Sequence, residues 1–126
     1  MTLREVINMV NALKPNQYTD AQKVQWLSEC DSTIFREIID THERPEGMPE
    51  VFLGYDPDRD MDRKLLAPAP HDMLYRYYLE AQIDLYNKEL NNYNNTSRTY
   101  NVAYAAFAAW YNTTYMPRRY ATHYKL

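Results

Sequence analysis

Glycine, cysteine and long apolar runs are scarce in this chain of 126 residues, and each scarcity excludes a class of protein. Two glycines leave no glycine-rich loop that could cradle a phosphate. A single cysteine, Cys30, excludes an intramolecular disulfide and fits a reducing compartment. The longest apolar run, residues 102–111, is too short to cross a membrane, and the N-terminus lacks the apolar core of a signal peptide.

Histidine is also scarce, and the chain lacks the spacings that catalytic and metal sites require. There is no His-Glu-x-x-His pattern, no cysteine pair, and no serine or cysteine within a nucleophile motif. Cys30 falls near the apolar side of a predicted helix, which favours a buried, unreactive thiol. We therefore predict a protein that is not an enzyme, with no catalytic residue, cofactor or metal.

Alternating acids form the most suggestive local pattern. They are Asp56, Asp58, Asp60 and Asp62. The alternation resembles the first half of a calcium loop, but Met61 stands where a turn-making glycine is needed and Ala67 stands where a bidentate glutamate belongs. We predict a solvated acidic loop and a candidate subunit interface.

Tyrosine is abundant where phenylalanine is not, with 13 tyrosines against 3 phenylalanines. Eleven of the tyrosines lie from Tyr75 onward. A tyrosine offers a large contact area while its hydroxyl needs a partner or water, so this composition suits half-buried surfaces and protein interfaces. A plain helical core is the alternative explanation of the same residues.

The net charge of −3 is unevenly distributed. Residues 1–70 hold 13 acids and 8 bases, a balance of −5, whereas residues 71–126 hold 4 acids and 6 bases, a balance of +2. No basic stripe of the kind that binds nucleic acid is present. The second helix carries more acids than bases, which ranks a helical DNA-binding regulator low.

Two capping boxes mark the starts of the first two helices. Thr2 with Glu5 predicts a helix from residue 2 to 13, and Thr19 with Gln22 predicts a second from residue 19 to about 42. Asp31 lies close to the apolar stripe of the second helix and needs a hydrogen-bonding partner if it is buried.

Bulky residues at alternating spacings of four and three run through residues 79–111 and predict helix. Either one helix of about 45 residues or an antiparallel hairpin fits this pattern. A hairpin would turn in the polar segment at residues 94–96, with Thr96 or Ser97 capping its second helix. We favour the hairpin, because a lone helix of that length would leave much of its apolar side uncovered.

Residues 44–70 hold five of the seven prolines and both glycines and break every helical pattern. The apolar runs 51–53 and 65–66 are compatible with a short β-hairpin. The expected fold is therefore mainly α: a small bundle of about four helices over residues 1–116, with that β-hairpin as an option between the second and third helices. An extended C-terminal tail, residues 117–126, follows.

The order of these features resembles a known group of phage proteins. The segments that carry the resemblance are TLREVINMVNALKPN (2–16), YTDAQKVQWLSECD (18–31), IIDTHE (38–43), LLAPAPHD (65–72), YNNT (93–96) and FAAWYN (107–112). Together they resemble the head–tail connector proteins, also called adaptor or head-completion proteins, of long-tailed double-stranded DNA phages and prophages of Gram-positive hosts. The similarity is one of general sequence character and extends over about residues 2–117.

The resemblance implies a structural subunit without a reaction or a cofactor. Such proteins form a ring, usually of twelve subunits, under the portal of the capsid, where the ring extends the DNA channel and offers a docking platform for the stopper or tail. It implies assembly in the bacterial cytoplasm and a final place at the head–tail junction of the virion. The C-terminal segment would bind the portal protein through Arg118, Arg119, Tyr120, Tyr124 and Lys125. A tail-completion protein or tail chaperone is the alternative.

Overall fold

Four α-helices account for most of the architecture in the computed structural model, which describes residues 1–117. They are α1 (Leu3–Leu13), α2 (Asp20–Ile34), α3 (Leu74–Tyr86) and α4 (Leu90–Thr114). One turn of π-helix, Phe35–Ile39, continues α2, and a short 3-10 turn, His71–Met73, leads into α3. The predicted mainly helical fold is confirmed.

The first two helices begin at the residues that the capping patterns indicated. Thr2 accepts a hydrogen bond from the backbone N–H of Glu5, and the Glu5 carboxylate accepts one from the backbone N–H of Thr2, which completes the box. The Thr19 hydroxyl accepts from the Gln22 N–H at 3.1 Å. Each bond satisfies a backbone N–H that has no partner within its helix.

Helices α3 and α4 form an antiparallel hairpin, as expected, but the predicted position of its turn is wrong. The turn lies at residues 87–89, where Lys88 adopts a left-handed backbone with φ of 61°. Residues 94–96 belong to α4. The polar residues remain helical because their hydroxyls find partners: Thr99 donates to the Asn95 carbonyl at 3.1 Å, and Thr96 donates to the Asp84 carboxylate of α3 at 3.0 Å.

Apolar side chains from all four helices form one continuous buried cluster. The contributions are unequal. Helix α1 buries four residues, Leu3, Val6, Ile7 and Val10, whereas the 25-residue α4 buries only Phe107 and Tyr111. The bundle therefore rests on α1, α2 and α3, and α4 packs along its side with much of its surface outward.

The β-hairpin considered for residues 51–53 and 65–66 does not form, and residues 1–117 contain no strand. Instead, Lys64 forms an isolated antiparallel bridge with Thr2, and the Leu65 N–H donates to the Met1 carbonyl at 3.0 Å. Pro117 forms a second isolated antiparallel bridge, with His42. Pro117 thus contacts the helical domain that was predicted to end at residue 116.

Candidate interaction surfaces

The buried carboxylate of Asp31 fixes the long connection between α2 and α3. Its oxygens accept hydrogen bonds from the Tyr55 hydroxyl, from the Tyr75 hydroxyl at 2.6 Å and from the Leu66 N–H at 3.1 Å. Burial raises the pKa of Asp31 to about 6, although the three donors act in the opposite direction. The prediction that a buried Asp31 needs hydrogen-bond partners is confirmed. Its three partners belong to the connection between α2 and α3 and to α3 itself.

Cys30 lies inside the bundle with 1% of its surface exposed. Its Sγ is 3.6 Å from the Tyr100 hydroxyl of α4, and burial raises the pKa of the thiol. A thiol that stays protonated and covered is a poor nucleophile. The prediction that Cys30 is buried is confirmed.

Residues 51–55 form a loop held firmly against α2. The Tyr55 N–H donates to the Ser28 hydroxyl at 2.8 Å, and the Phe52 ring packs on Tyr55 with centroids 4.9 Å apart. Val51, which precedes these anchors, is 62% exposed, and Leu53, which lies between them, is 91% exposed. The loop therefore presents two apolar side chains to the outside from a fixed backbone.

The acidic residues that follow fold into a turn closed by their own side chains. The Asp60 carboxylate accepts from the Asp56 N–H at 2.6 Å, and the Asp56 carboxylate accepts from the Asp58 N–H at 2.7 Å. Arg59 and Arg63 lie 3.8 and 3.7 Å from Asp56 and Asp60 respectively. The carboxylate of Asp58 is exposed and forms no ion pair with any residue between 1 and 117.

Asp62 ties the end of this acidic turn to the first helix. Its carboxylate accepts from Arg4 Nε at 2.8 Å, and the neighbouring Met61 carbonyl accepts from the Arg4 N–H at 2.8 Å. Of the four acids predicted as a subunit interface, Asp62 is thus engaged within the chain and Asp58 is left open. The acidic loop is therefore held by hydrogen bonds and ion pairs within the chain as well as being exposed to solvent.

Helix α4 carries a single charge, Arg98, in 25 residues. A quarter of the whole chain is charged, so a helix of this length at the average composition would carry about six charges. The inner side packs through Tyr100, Tyr104, Phe107 and Tyr111, and the opposite side exposes Arg98, Val102, Ala105 and Ala109. We call these four residues the outer row of α4.

The outer row borders a shallow groove between α3 and α4. Its lining includes Tyr77 of α3 with Arg98, Val102 and Ala106 of α4, and its volume is about 390 Å³. Val102 is 67% exposed. The exposed side of α4 is rich in asparagine and threonine, carries one charge and has a small apolar patch of Val102 and alanines at its middle. A helix surface with so few charges is typical of a contact surface.

The five residues predicted to bind a portal lie outside the described part of the chain. They are Arg118, Arg119, Tyr120, Tyr124 and Lys125. Within residues 1–117, no three acidic, histidine or cysteine side chains converge as a metal site requires. Over the same range, every helix is too short or too polar to span a bilayer.

Comparison with protein-family models, with curated proteins and with solved structures finds no match to this chain.

The sequence indicates the acidic loop, whereas the two apolar surfaces are evident only in the structure. The run 51–53 is compatible with a short strand, in which alternate residues would be covered, so the sequence does not predict the exposure of Leu53. The outer row of α4 had a visible signal: 25 consecutive residues with one charge. The sequence does not show which side of α4 faces outward. The packing of Tyr100 and Tyr104 against the core decides it.

Proposed function

We propose that this chain is a structural subunit of a phage or prophage head–tail connector, which assembles into a ring and performs no reaction. The observation that carries the proposal is the outward side of α4, a long helix that a single copy leaves largely exposed and almost uncharged. Ring subunits need lateral surfaces of this kind, because each copy must bury part of its surface against two neighbours.

The half-buried tyrosines support the same proposal. Tyr104 of α4 donates to the Glu37 carboxylate at 2.6 Å, and Tyr100 reaches Cys30, so these hydroxyls hold α4 against the bundle. The helix is thus fixed in place although it buries only two residues. A rigid, exposed helix loses little conformational entropy when a neighbour covers it.

Under this proposal the ring, of about twelve copies as the sequence resemblance implies, lies beneath the portal at the head–tail junction of the virion. It extends the DNA channel and presents its far side to the stopper or tail. The portal contact is assigned to the C-terminal segment, whose Arg118, Arg119 and Lys125 would steer it toward an acidic surface while Tyr120 and Tyr124 contribute contact area.

A charge placed on the outer row of α4 tests the proposal. The variant Val102→Glu, mixed with the portal protein encoded in the same genome, should stay monomeric or bind without closing a ring. The matched variant Leu13→Glu changes an exposed leucine, 56% exposed at the end of α1, and should assemble as the wild type does. Mass measurement of the complexes by native mass spectrometry distinguishes these outcomes.

Equal assembly of both variants would remove α4 from the interface. A wild-type chain that forms only a small oligomer with a tail protein would favour the tail-completion or tail-chaperone alternative. A monomer that shifts a DNA probe would favour the regulator.

A further inference from the structure

The exposed loop and the outer row of α4 lie on nearly opposite sides of α2. The loop contacts α2 at Ser28, through the Tyr55 N–H, and α4 contacts it at Cys30, through the Tyr100 hydroxyl. Two residues along an α-helix are separated by about 200° around its axis. The loop and α4 therefore flank α2 from opposing directions.

Side chains two residues apart on α4 also point in nearly opposite directions. Tyr100 points toward α2, and Val102 is about 200° further around the axis of α4, so Val102 points away from the bundle. Leu53, which is 91% exposed, belongs to the loop that contacts the opposite side of α2. One copy thus carries two unlike apolar surfaces that face away from each other.

The net charges of these two surfaces are opposite in sign, because residues 51–62 hold four acids and one arginine, Arg59, whereas α4 holds Arg98 alone. Arg98 is the only charge of α4 and forms no ion pair within residues 1–117. Asp58, five residues after Leu53 in the chain, carries an exposed carboxylate that likewise has no ion-pair partner in that range. Two copies placed head to tail would bring these groups toward each other, and opposite charges across a contact set its register.

We propose that the loop of residues 51–58 in one copy docks on the outer row of α4 in the next copy, with Leu53 against Val102 and Asp58 near Arg98. The inference rests on the proposed ring and names the two surfaces that meet in it. Because the surfaces differ, the contact is heterologous, and repetition by a rotation closes a ring.

Cysteine cross-linking between two different variants tests this contact. Leu53→Cys and Val102→Cys are mixed in equal amounts, with the portal protein present and absent, and treated with a short bismaleimide. Native Cys30 is 1% exposed and is retained. We expect a cross-linked dimer from the mixture and none from either variant alone. Leu13→Cys mixed with Val102→Cys is the matched control and should remain monomeric.

Charge reversal gives an independent readout. Asp58→Arg and Arg98→Asp should each weaken association about fivefold, as expected of a pair at the rim of a contact, and the two variants mixed or combined should restore it. A buried hydrophobic contact without this pair would show no such rescue.

Three results decide the matter differently. Wild-type rings without the Leu53–Val102 cross-link would overturn this contact and leave the ring proposal intact. Cross-linking of Leu53→Cys with itself would also overturn it, because that result requires a symmetric contact. A wild-type chain that assembles neither alone nor with the portal would overturn the ring proposal and this inference together.

Discussion

Removal of the Tyr75 hydroxyl should strongly destabilise the fold, because that oxygen has two buried partners. It donates to Asp31 at 2.6 Å and accepts from the Ala67 N–H at 2.7 Å, in a side chain with no exposed surface. A hydrogen bond to a charged group contributes about 1.5–3 kcal/mol, and a buried N–H left without a partner costs about 1–3 kcal/mol. Because such contributions do not add fully, we expect Tyr75→Phe to lower the free energy of unfolding by about 3 kcal/mol.

Thermal and urea denaturation measure this effect. A loss of that size corresponds to a fall in Tm of about 10 °C for a chain of this length. Tyr77→Phe is the matched control: it changes a tyrosine of the same helix whose hydroxyl has no hydrogen-bond partner within residues 1–117, and it should alter stability by less than about 0.5 kcal/mol. A loss below about 1 kcal/mol for Tyr75→Phe, or an equal loss for both variants, would refute the role assigned to the Asp31 cluster.

Three further predictions concern Asp31, the turn between α3 and α4, and the C-terminal segment. Because burial raises the folded pKa of Asp31 to about 6, above the unfolded value of about 3.9, the stability that Asp31 contributes should fall as pH rises from about 4 to 6 and then level off. The difference in free energy of unfolding between the wild type and Asp31→Asn, measured by urea titration at each pH, should show this slope. Lys88→Gly should raise the free energy of unfolding by about 0.5–1 kcal/mol, because glycine adopts the left-handed backbone without strain. Asn95→Pro should lower it by about 3 kcal/mol, because proline interrupts α4. The opposite ranking of the two variants would place the turn at residues 94–96. Deletion of residues 118–126 should leave the helical circular dichroism and Tm nearly unchanged and abolish portal binding, and unaltered binding would move the anchor to the helices.

Local signals predicted the beginnings of the helices well. The hydroxyls of Thr2 and Thr19 act within three residues, so their effect is visible in the sequence. Local signals do not predict the position of the turn in the α3–α4 hairpin, because they favour the asparagine-rich segment. The hydrogen bond from Thr96 to Asp84 across the hairpin supports the helical conformation of that segment. The turn forms instead at Lys88, a residue type that is not typical of turns.

The conformation of the long connection between α2 and α3 depends on tertiary contacts that the sequence does not show. Asp31 was recognised as needing a partner, but its partners come from 24 to 44 residues away along the chain. Those bonds hold residues 51–55 in a loop and leave Leu53 outside. The sequence of an apolar run does not show whether the fold covers it or exposes it. The exposure of Leu53 could therefore be recognised only from the structure.

The association of this chain into a closed ring on a portal is the central claim, and electron microscopy tests it most directly. The full-length chain is purified with the portal protein encoded in the same genome, and negatively stained particles are sorted into class averages. The account predicts a second ring of density, coaxial with the portal and absent when Val102→Glu replaces the wild type. Portal particles with no added ring, at concentrations where the wild-type chain is in excess, would contradict it.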